Sequence, residues 1–377
     1  MTAGDEDAEA LLRLAVDAAS QAGALLASWR GDIRPEVIDT KSSPTDVVTE
    51  MDRRSEALIT ERIRGSRPGD TVLGEEGGQT TGAAVSPGTG AGAPGAPASP
   101  SPVRWVVDPL DGTVNYLYGL PDWAVSIAAE VDGIVVAGVV EVPRFGETFT
   151  AVAGQGAWLR RGDTVVALHC NLPVALGQAL VGTGFGYDSG RRQVQGEIIA
   201  KLLPHVRDIR RGGSAAVDLC SVAAGRMDAF FERGLNYWDF AAGGLIAREA
   251  GAMVGGLGGR PESTSMAVAA GPELYRQLDT FLSKLNPERD AQRSQEQDGL
   301  AGRGRGVLAE PKRDVSGVIG VPHVRRARTW QNSPPESGTT TALKALHPRS
   351  DCALRMKGDG VLRWLPTTTA RGRRTTT

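Results

Sequence analysis

The 377-residue chain is long enough for one large domain or two ordinary ones, and its 23% charged and 41% apolar residues are those of a globular protein. A net charge of −2 conceals an asymmetry: residues 1–286 carry 25 Lys and Arg against 35 Asp and Glu, whereas residues 287–377 carry 17 against 9. With an acidic, polar start and no unbroken apolar run of about 18 residues, the sequence offers neither a signal peptide nor a membrane span, so a cytoplasmic, non-membrane protein is expected. Cys170, Cys220 and Cys352 stand far apart, outside any CxxC or Cys/His spacing, and read as incidental thiols of a reducing compartment.

In chain order, Leu11, Leu14, Ala15, Ala18, Ala22, Leu25 and Trp29 recur at three- and four-residue steps, which predicts an amphipathic helix of about five turns. Gly31 ends it, and residues 33–39 are expected to be extended. A Ser/Pro/Thr/Asp loop over 41–49 precedes a second helix from Asp52 to about Arg64, with Leu58, Ile59 and Ile63 inward. A short strand over 71–73 leads into Gly74-Glu75-Glu76. Residues 79–102 are almost entirely Gly, Ala, Pro, Ser and Thr, without a charge, and cannot bury enough apolar surface to order themselves. They are read as a flexible insertion, either a plain solvated linker, the simpler reading, or a mobile flap.

Trp105, Val106 and Val107 predict a buried strand ending at Asp108. Pro109 to Gly112 should then form a turn, because Pro and Gly break a ladder, and Thr113 can open a helix. Short strands follow over 124–130, 134–141, 147–153 and 157–160, with Asp132-Gly133 as a two-residue hairpin signal. Next come a strand over 179–184, a helix over 191–206 and a strand over 208–211. A helix over 214–225, capped by Ser214, precedes a strand over 227–232, a helix over 238–250, a strand over 266–270 and a last helix over 272–285. The mixture is an α/β domain with more than one sheet. Residues 287–377 hold Gly-Arg, Arg-Arg and Thr-Thr clusters without a sustained period, so a disordered tail is expected. It is either out-of-frame or read-through coding sequence or, as the weaker reading, a nucleic-acid-binding tail whose basic residues are dilute and aromatics scarce.

The chemistry concentrates at Asp108-Pro109-Leu110-Asp111-Gly112-Thr113. Two carboxylates three residues apart on a sharp turn repel each other, and burying them is costly. A divalent cation removes that conflict, and hard oxygen ligands suit magnesium. The helix start beside them suits a phosphate. Asp108-Pro-Leu-Asp111-Gly112-Thr113-Val-Asn115 resembles the central motif of the inositol monophosphatase family of magnesium-dependent, lithium-sensitive phosphomonoesterases. Gly74-Glu75-Glu76, Trp238-Asp239-Phe-Ala-Ala-Gly243 and the stretch from Lys41 through Asp46 to Asp52 resemble three further motifs of that family, in its order. The four cover roughly residues 9–285 and mark residues 1–286 as the catalytic domain.

The resemblance implies a layered αβαβα sandwich and two or three magnesium ions. Glu75, Asp108 and the Leu110 carbonyl would hold one; Asp108, Asp111 and Asp239 a second; Glu75 would reach a loosely bound third. Glu75 with Thr113 would orient and deprotonate the metal-activated water, with Asp52 hydrogen-bonded to Thr113. Gly112 and Thr113 amides would take the phosphate, and Asp111, Asp239, Glu232 and the backbone of Gly213, Ser214 and Ala215 the polyol. The residues taken singly leave other readings open: Asp52 as a helix cap only, Asp239 as an N-cap, Glu232 as an exposed strand-end acid, Lys41 as a surface lysine. Trp105 and Trp238 read as core. Tyr187, Arg191 and Arg192 either line the alcohol pocket or, preferably, lie on the surface of the helix after them. His169, His205, His323 and His347 sit in no catalytic context. The expected substrate is a small phosphorylated polyol or sugar, most simply myo-inositol 1-phosphate. The same scaffold serves histidinol phosphate, fructose bisphosphate, NADP(H) and adenosine bisphosphate, and in some bacterial members a transcription-complex role. Family members are usually homodimers; a nucleic-acid partner is not expected.

Overall fold

The computed structural model describes residues 3–30, 37–40, 47–80, 103–290, 352–356 and 362–366. The elements before the central strand are α1 (Ala3–Arg30), β1 (Val37–Thr40), β2 (Val47–Thr49), α2 (Glu50–Ser66), β3 (Thr71–Gly74) and β4 (Gly78–Thr80). The central strand β5 (Arg104–Asp111) is followed by α3 (Thr113–Tyr118), β6 (Ala124–Val131), β7 (Ile134–Val142), β8 (Glu147–Val152), β9 (Ala157–Arg161) and β10 (Thr164–Ala167). Then come β11 (Leu180–Thr183), α4 (Ser189–Leu202), β12 (Asp208–Arg210), α5 (Ala215–Ala223), β13 (Ala229–Glu232), α6 (Tyr237–Glu249), β14 (Met253–Gly255), β15 (Ala267–Ala270) and α7 (Pro272–Ser283).

An eight-stranded sheet has the order β10-β9-β8-β7-β6-β5-β3-β4, and a five-stranded sheet the order β12-β11-β13-β15-β14. Side-chain alternation along the strands builds the layers. Trp105 and Val107 face Ala22 and Leu26 of α1 and Ile59 and Ile63 of α2, while Val106 between them faces Ala216 and Cys220 of α5 and Ala242 and Ile246 of α6. The far sides of α5 and α6 pack Leu219, Val222 and Phe240 on Phe230 and Ala269 of the second sheet. Phe231 and Val268 on its other face meet Ile198 of α4 and Leu278 of α7. The result is the αβαβα sandwich the resemblance implied.

Local signals held where neighbours in sequence decide the geometry. Asp132 (φ 51°) and Gly133 (φ 81°) form the two-residue turn, with Val131 paired to Ile134. Three differences have tertiary causes. β5 does not stop at Asp108 but continues to Asp111, because a bulge against β6 between Asp108 and Asp111 lets Pro109 sit where no ladder bond is needed. β10 and β14 are unannounced edge strands held by β9 and β15. β4 takes residues 79 and 80 from the expected insertion by pairing with β3; residues 81–102, like Lys41 and Asp46, lie outside the described residues.

Among the described residues one helix, Asp7–Arg30 within α1, is long and apolar enough to cross a membrane by length and composition. Arg13, Asp17, Ser20 and Gln21 interrupt it, so no unbroken apolar run in it reaches about 18 residues, and Leu11, Ala15, Ala18, Ala22 and Leu26 are buried in the first core. In a second unit, residues 308–377, β16 (Cys352–Met356) pairs antiparallel with β17 (Leu362–Pro366). The expectation of disorder beyond residue 286 otherwise concerns positions outside the described residues, apart from 287–290.

Candidate active site

The site forms where β3 and β5, parallel neighbours, end side by side. β3 delivers Glu75 just past Gly74, and the bulged end of β5 delivers Asp108 and Asp111. Asp108 is buried, and its Oδ1 accepts the Leu110 amide at 3.0 Å. Gly112 follows with φ 86° and ψ 36°, a left-handed conformation that lets the chain reverse into α3. An ideal Cβ there would stand 2.8 Å from the Asp122 carbonyl, so the turn also needs glycine for space.

Two helix starts complete the wall. Asp111 Oδ2 accepts Ser214 Oγ at 2.6 Å and the Ala216 amide at 2.7 Å, which ties the end of β5 to the start of α5. Ser214 also caps α5 through the Val217 amide at 3.2 Å. Asp239, in the first turn of α6, accepts the Asn236 amide at 2.7 Å in a capping box. Asn236, not Asp239, is the N-cap; Asp239 closes the box from the third helical position and is at the same time a wall residue. Asp52 likewise does both things held open for it. Its Oδ2 accepts the amide of Thr49, the N-cap of α2, at 2.8 Å in a capping box, and its Oδ1 lies 2.9 Å from Thr113 Oγ1. The single Thr113 hydroxyl proton is shared between Asp52 and the Leu110 carbonyl, 3.0 Å away.

A cavity of about 520 Å³ opens over these ends, lined by Glu75, Asp108, Leu110, Asp111, Gly112, Thr113, Gly213, Ala215, Glu232 and Asp239. Ser214 stands behind this lining through Asp111, and Asp52 behind it through Thr113. Sequence reasoning undervalued four residues. Tyr187 and Arg191 line the cavity instead of lying on the outer surface of α4, whereas Arg192 is not among the described lining residues. Trp238, read as core, lines it too, with Nε1 buried and without a hydrogen-bond partner among the described residues. Arg211 also faces it; the only local signal was its place just before Gly212-Gly213-Ser214.

The electrostatics are those of crowded acids. Burial pushes the Asp111 carboxyl up to about 6, against the hydrogen bonds from Ser214, Ala216 and Gly112. Burial, then the charges of Asp111 and Glu75, raises Asp239 well above the usual carboxylate range. Glu232 is pushed to about 8 by burial, opposed by Arg211, so it is no ordinary exposed strand-end acid. Asp218, 5% exposed in α5, rises for the same reason, with Glu232 and Asp111 adding to the effect. Among the described residues no three His, Cys, Asp or Glu side chains already stand as a closed metal-ligand set. The acids share a cavity, not a finished coordination sphere. The donor set of carboxylates and the Leu110 carbonyl nevertheless fits a hard divalent cation, since neither histidine nor cysteine lines the cavity among the described residues. His205 packs against Phe281, ring centroids 5.3 Å apart, and His323 and His347 lie outside the described residues.

The sequence profile of the Inositol monophosphatase family matches residues 7–289. An inositol-1-monophosphatase of Mycobacterium leprae is 41% identical over 305 residues, covering 76% of this chain and 98% of that protein. A Nus factor SuhB of Pasteurella multocida is 39% identical over 280 residues, 74% of this chain and 96% of its own. Among solved structures, Mycobacterium tuberculosis SuhB is similar with a TM-score of 0.59 and 39% identity, over 74% of this chain and 98% of that one.

Proposed function

The chain belongs to the inositol monophosphatase family, and from that premise we propose that it hydrolyses the phosphomonoester of a small polyol or sugar, most simply myo-inositol 1-phosphate, with magnesium. The observation that carries this is the convergence of Glu75, Asp108, Leu110, Asp111 and Asp239 on one cavity with Thr113. Glu75, Asp108 and the Leu110 carbonyl would hold one ion, and Asp108, Asp111 and Asp239 a second, with Glu75 reaching a third. Magnesium so bound supplies charge neutralisation for the phosphate and the departing alkoxide, and acidifies water.

The chain's own groups do the rest. Glu75 takes the proton of the attacking water, and Thr113, held through its hydroxyl by Asp52, orients that water. The Gly112 and Thr113 amides hold the phosphate oxygens at the start of α3. Glu232, the backbone of Gly213, Ser214 and Ala215, and one oxygen each of Asp111 and Asp239 hold the polyol hydroxyls. Residues 1–286 form the catalytic domain, working as a homodimer.

The test is a phosphomonoester panel with purified protein, after chelation, with magnesium restored and then with lithium added. Turnover of a polyol or sugar phosphate should appear only with magnesium and fall with lithium; metal-independent turnover overturns the carboxylate assignment. The names of relatives such as the Nus factor support a second reading, an accessory of a transcription complex on the same scaffold. Asp239→Asn separates the two: loss of phosphate release with intact cellular function favours the accessory role.

A further inference from the structure

One face of α2 meets three segments of the cavity wall at one-turn spacing. Asp52 Oδ1 stands 2.9 Å from the Thr113 hydroxyl. Ser55 Oγ donates to the Pro109 carbonyl at 2.8 Å, between Asp108 and Leu110. Glu56 accepts the Glu76 amide on Oε2 and the Gly77 amide on Oε1, both at 2.8 Å. Residues spaced i, i+3 and i+4 share a helix face, so a single rigid element measures the distance between the turn carrying Glu75 and the strand end carrying Asp108 and Thr113. The fit at Glu56 is close. An ideal Cβ on Gly74 would stand 2.5 Å from the Glu56 carboxyl carbon, and one on Gly77 2.6 Å from Oε1. Gly74 pairs with Gly78 across the β3–β4 hairpin, leaving a three-residue turn whose backbone the carboxylate grips from below.

We propose that Glu56 is a positioning residue for this site: its carboxylate, seated on two backbone N–H groups of the 75–77 turn, fixes Glu75 relative to Thr113 and Asp108. Glu56 does not itself line the cavity, so it acts through the backbone and not on substrate. The inference rests on the reading of Glu75 given above. A carboxylate can accept both amides, and such charge-assisted bonds are the stronger kind. Glutamine of the same size has one acceptor and must turn its NH₂ toward the other amide, donor against donor.

Glu56→Gln and Gly77→Ala perturb the same contact from opposite sides, with Glu61→Gln on the exposed face of α2 as the control. Three quantities are measured: Mn²⁺ affinity by paramagnetic resonance titration, kcat and KM on the panel substrate, and hydrogen exchange of the peptide covering residues 75–80. Both variants should bind Mn²⁺ roughly tenfold more weakly and lose on the order of 10- to 100-fold in kcat, the scale of a displacement near 1 Å. KM should move less, the Glu76 and Gly77 amides should exchange faster, and circular-dichroism melting should remain cooperative. Wild-type Mn²⁺ affinity and kcat in a folded Glu56→Gln protein overturn the proposal. Should that variant fail to fold, Gly77→Ala decides by the same measurements, and wild-type behaviour there overturns it equally. If the wild-type protein neither binds Mn²⁺ nor turns over, the functional reading has failed; unchanged exchange of the 75–77 amides in the variants then overturns the positional claim, and faster exchange sustains its grip on the turn.

Discussion

Gly112→Ala is the most telling single change, because it acts on conformation and space together. A residue with a Cβ pays about 1–2 kcal/mol to adopt the left-handed region, and Gly112 sits at φ 86°. The added Cβ would stand 2.8 Å from the Asp122 carbonyl and 3.3 Å from both the Gly213 carbonyl and Ser214 Cβ. Ordinary C···O contacts begin near 3.3 Å, so the Asp122 carbonyl must retreat by about half an ångström, and overpacking of this kind costs about 1–3 kcal/mol. The sum is about 2–5 kcal/mol, a drop in Tm of roughly 3–8 °C for a chain of this length. The displaced groups include Ser214, whose hydroxyl holds Asp111 at 2.6 Å, so kcat should fall on the order of 100-fold. Gly133→Ala isolates the conformational part, since Gly133 has φ 81° and nothing within 4 Å of an added Cβ. Thermal melts and turnover of both variants check the reasoning. A Gly112→Ala protein that melts with Gly133→Ala and turns over like wild type refutes it.

Asp52→Ala removes the acceptor for the Thr49 amide and the partner of Thr113 at a fully buried position; a loss of about 2–4 kcal/mol in denaturant unfolding is expected, with turnover falling further than in Asp52→Asn. Glu232 favours its protonated form in the folded chain, its carboxyl being pushed up to about 8 from an ordinary 4.5. Its contribution to stability is therefore complete below about pH 4.5 and lost as pH rises toward 8. Glu232→Gln should flatten the fall in Tm of the metal-free protein between pH 5 and 8, and an unchanged slope would contradict the assignment. Asp290→Ala strands Arg233, which is 8% exposed and donates to both Asp290 oxygens at 2.5 and 2.6 Å; a loss on the order of 3 kcal/mol is expected. A chain ending after Asp290 keeps that pair, whereas one ending at 286 loses it and should melt lower than the 290-residue chain.

The sequence alone determined what contiguous residues encode. The three- and four-residue stripe of α1, the Asp132-Gly133 turn and the apolar run Trp105-Val106-Val107 that marks a buried strand are local patterns, and they survive folding because each is set by neighbouring residues alone. The order of the acidic motifs announced the family for the same reason: each motif is a short run on one strand end or helix start. Tertiary structure alone decided the rest. Pro109 stays in β5 because the register against β6 supplies a bulge. Tyr187, Arg191, Arg211 and Trp238 face the cavity because β11, β12 and α6 converge there, and Glu56 reaches the Glu75 turn because α2 lies across the strand ends. Such contacts join residues 20 or more positions apart, and no periodicity along a chain records which distant backbone a side chain will meet.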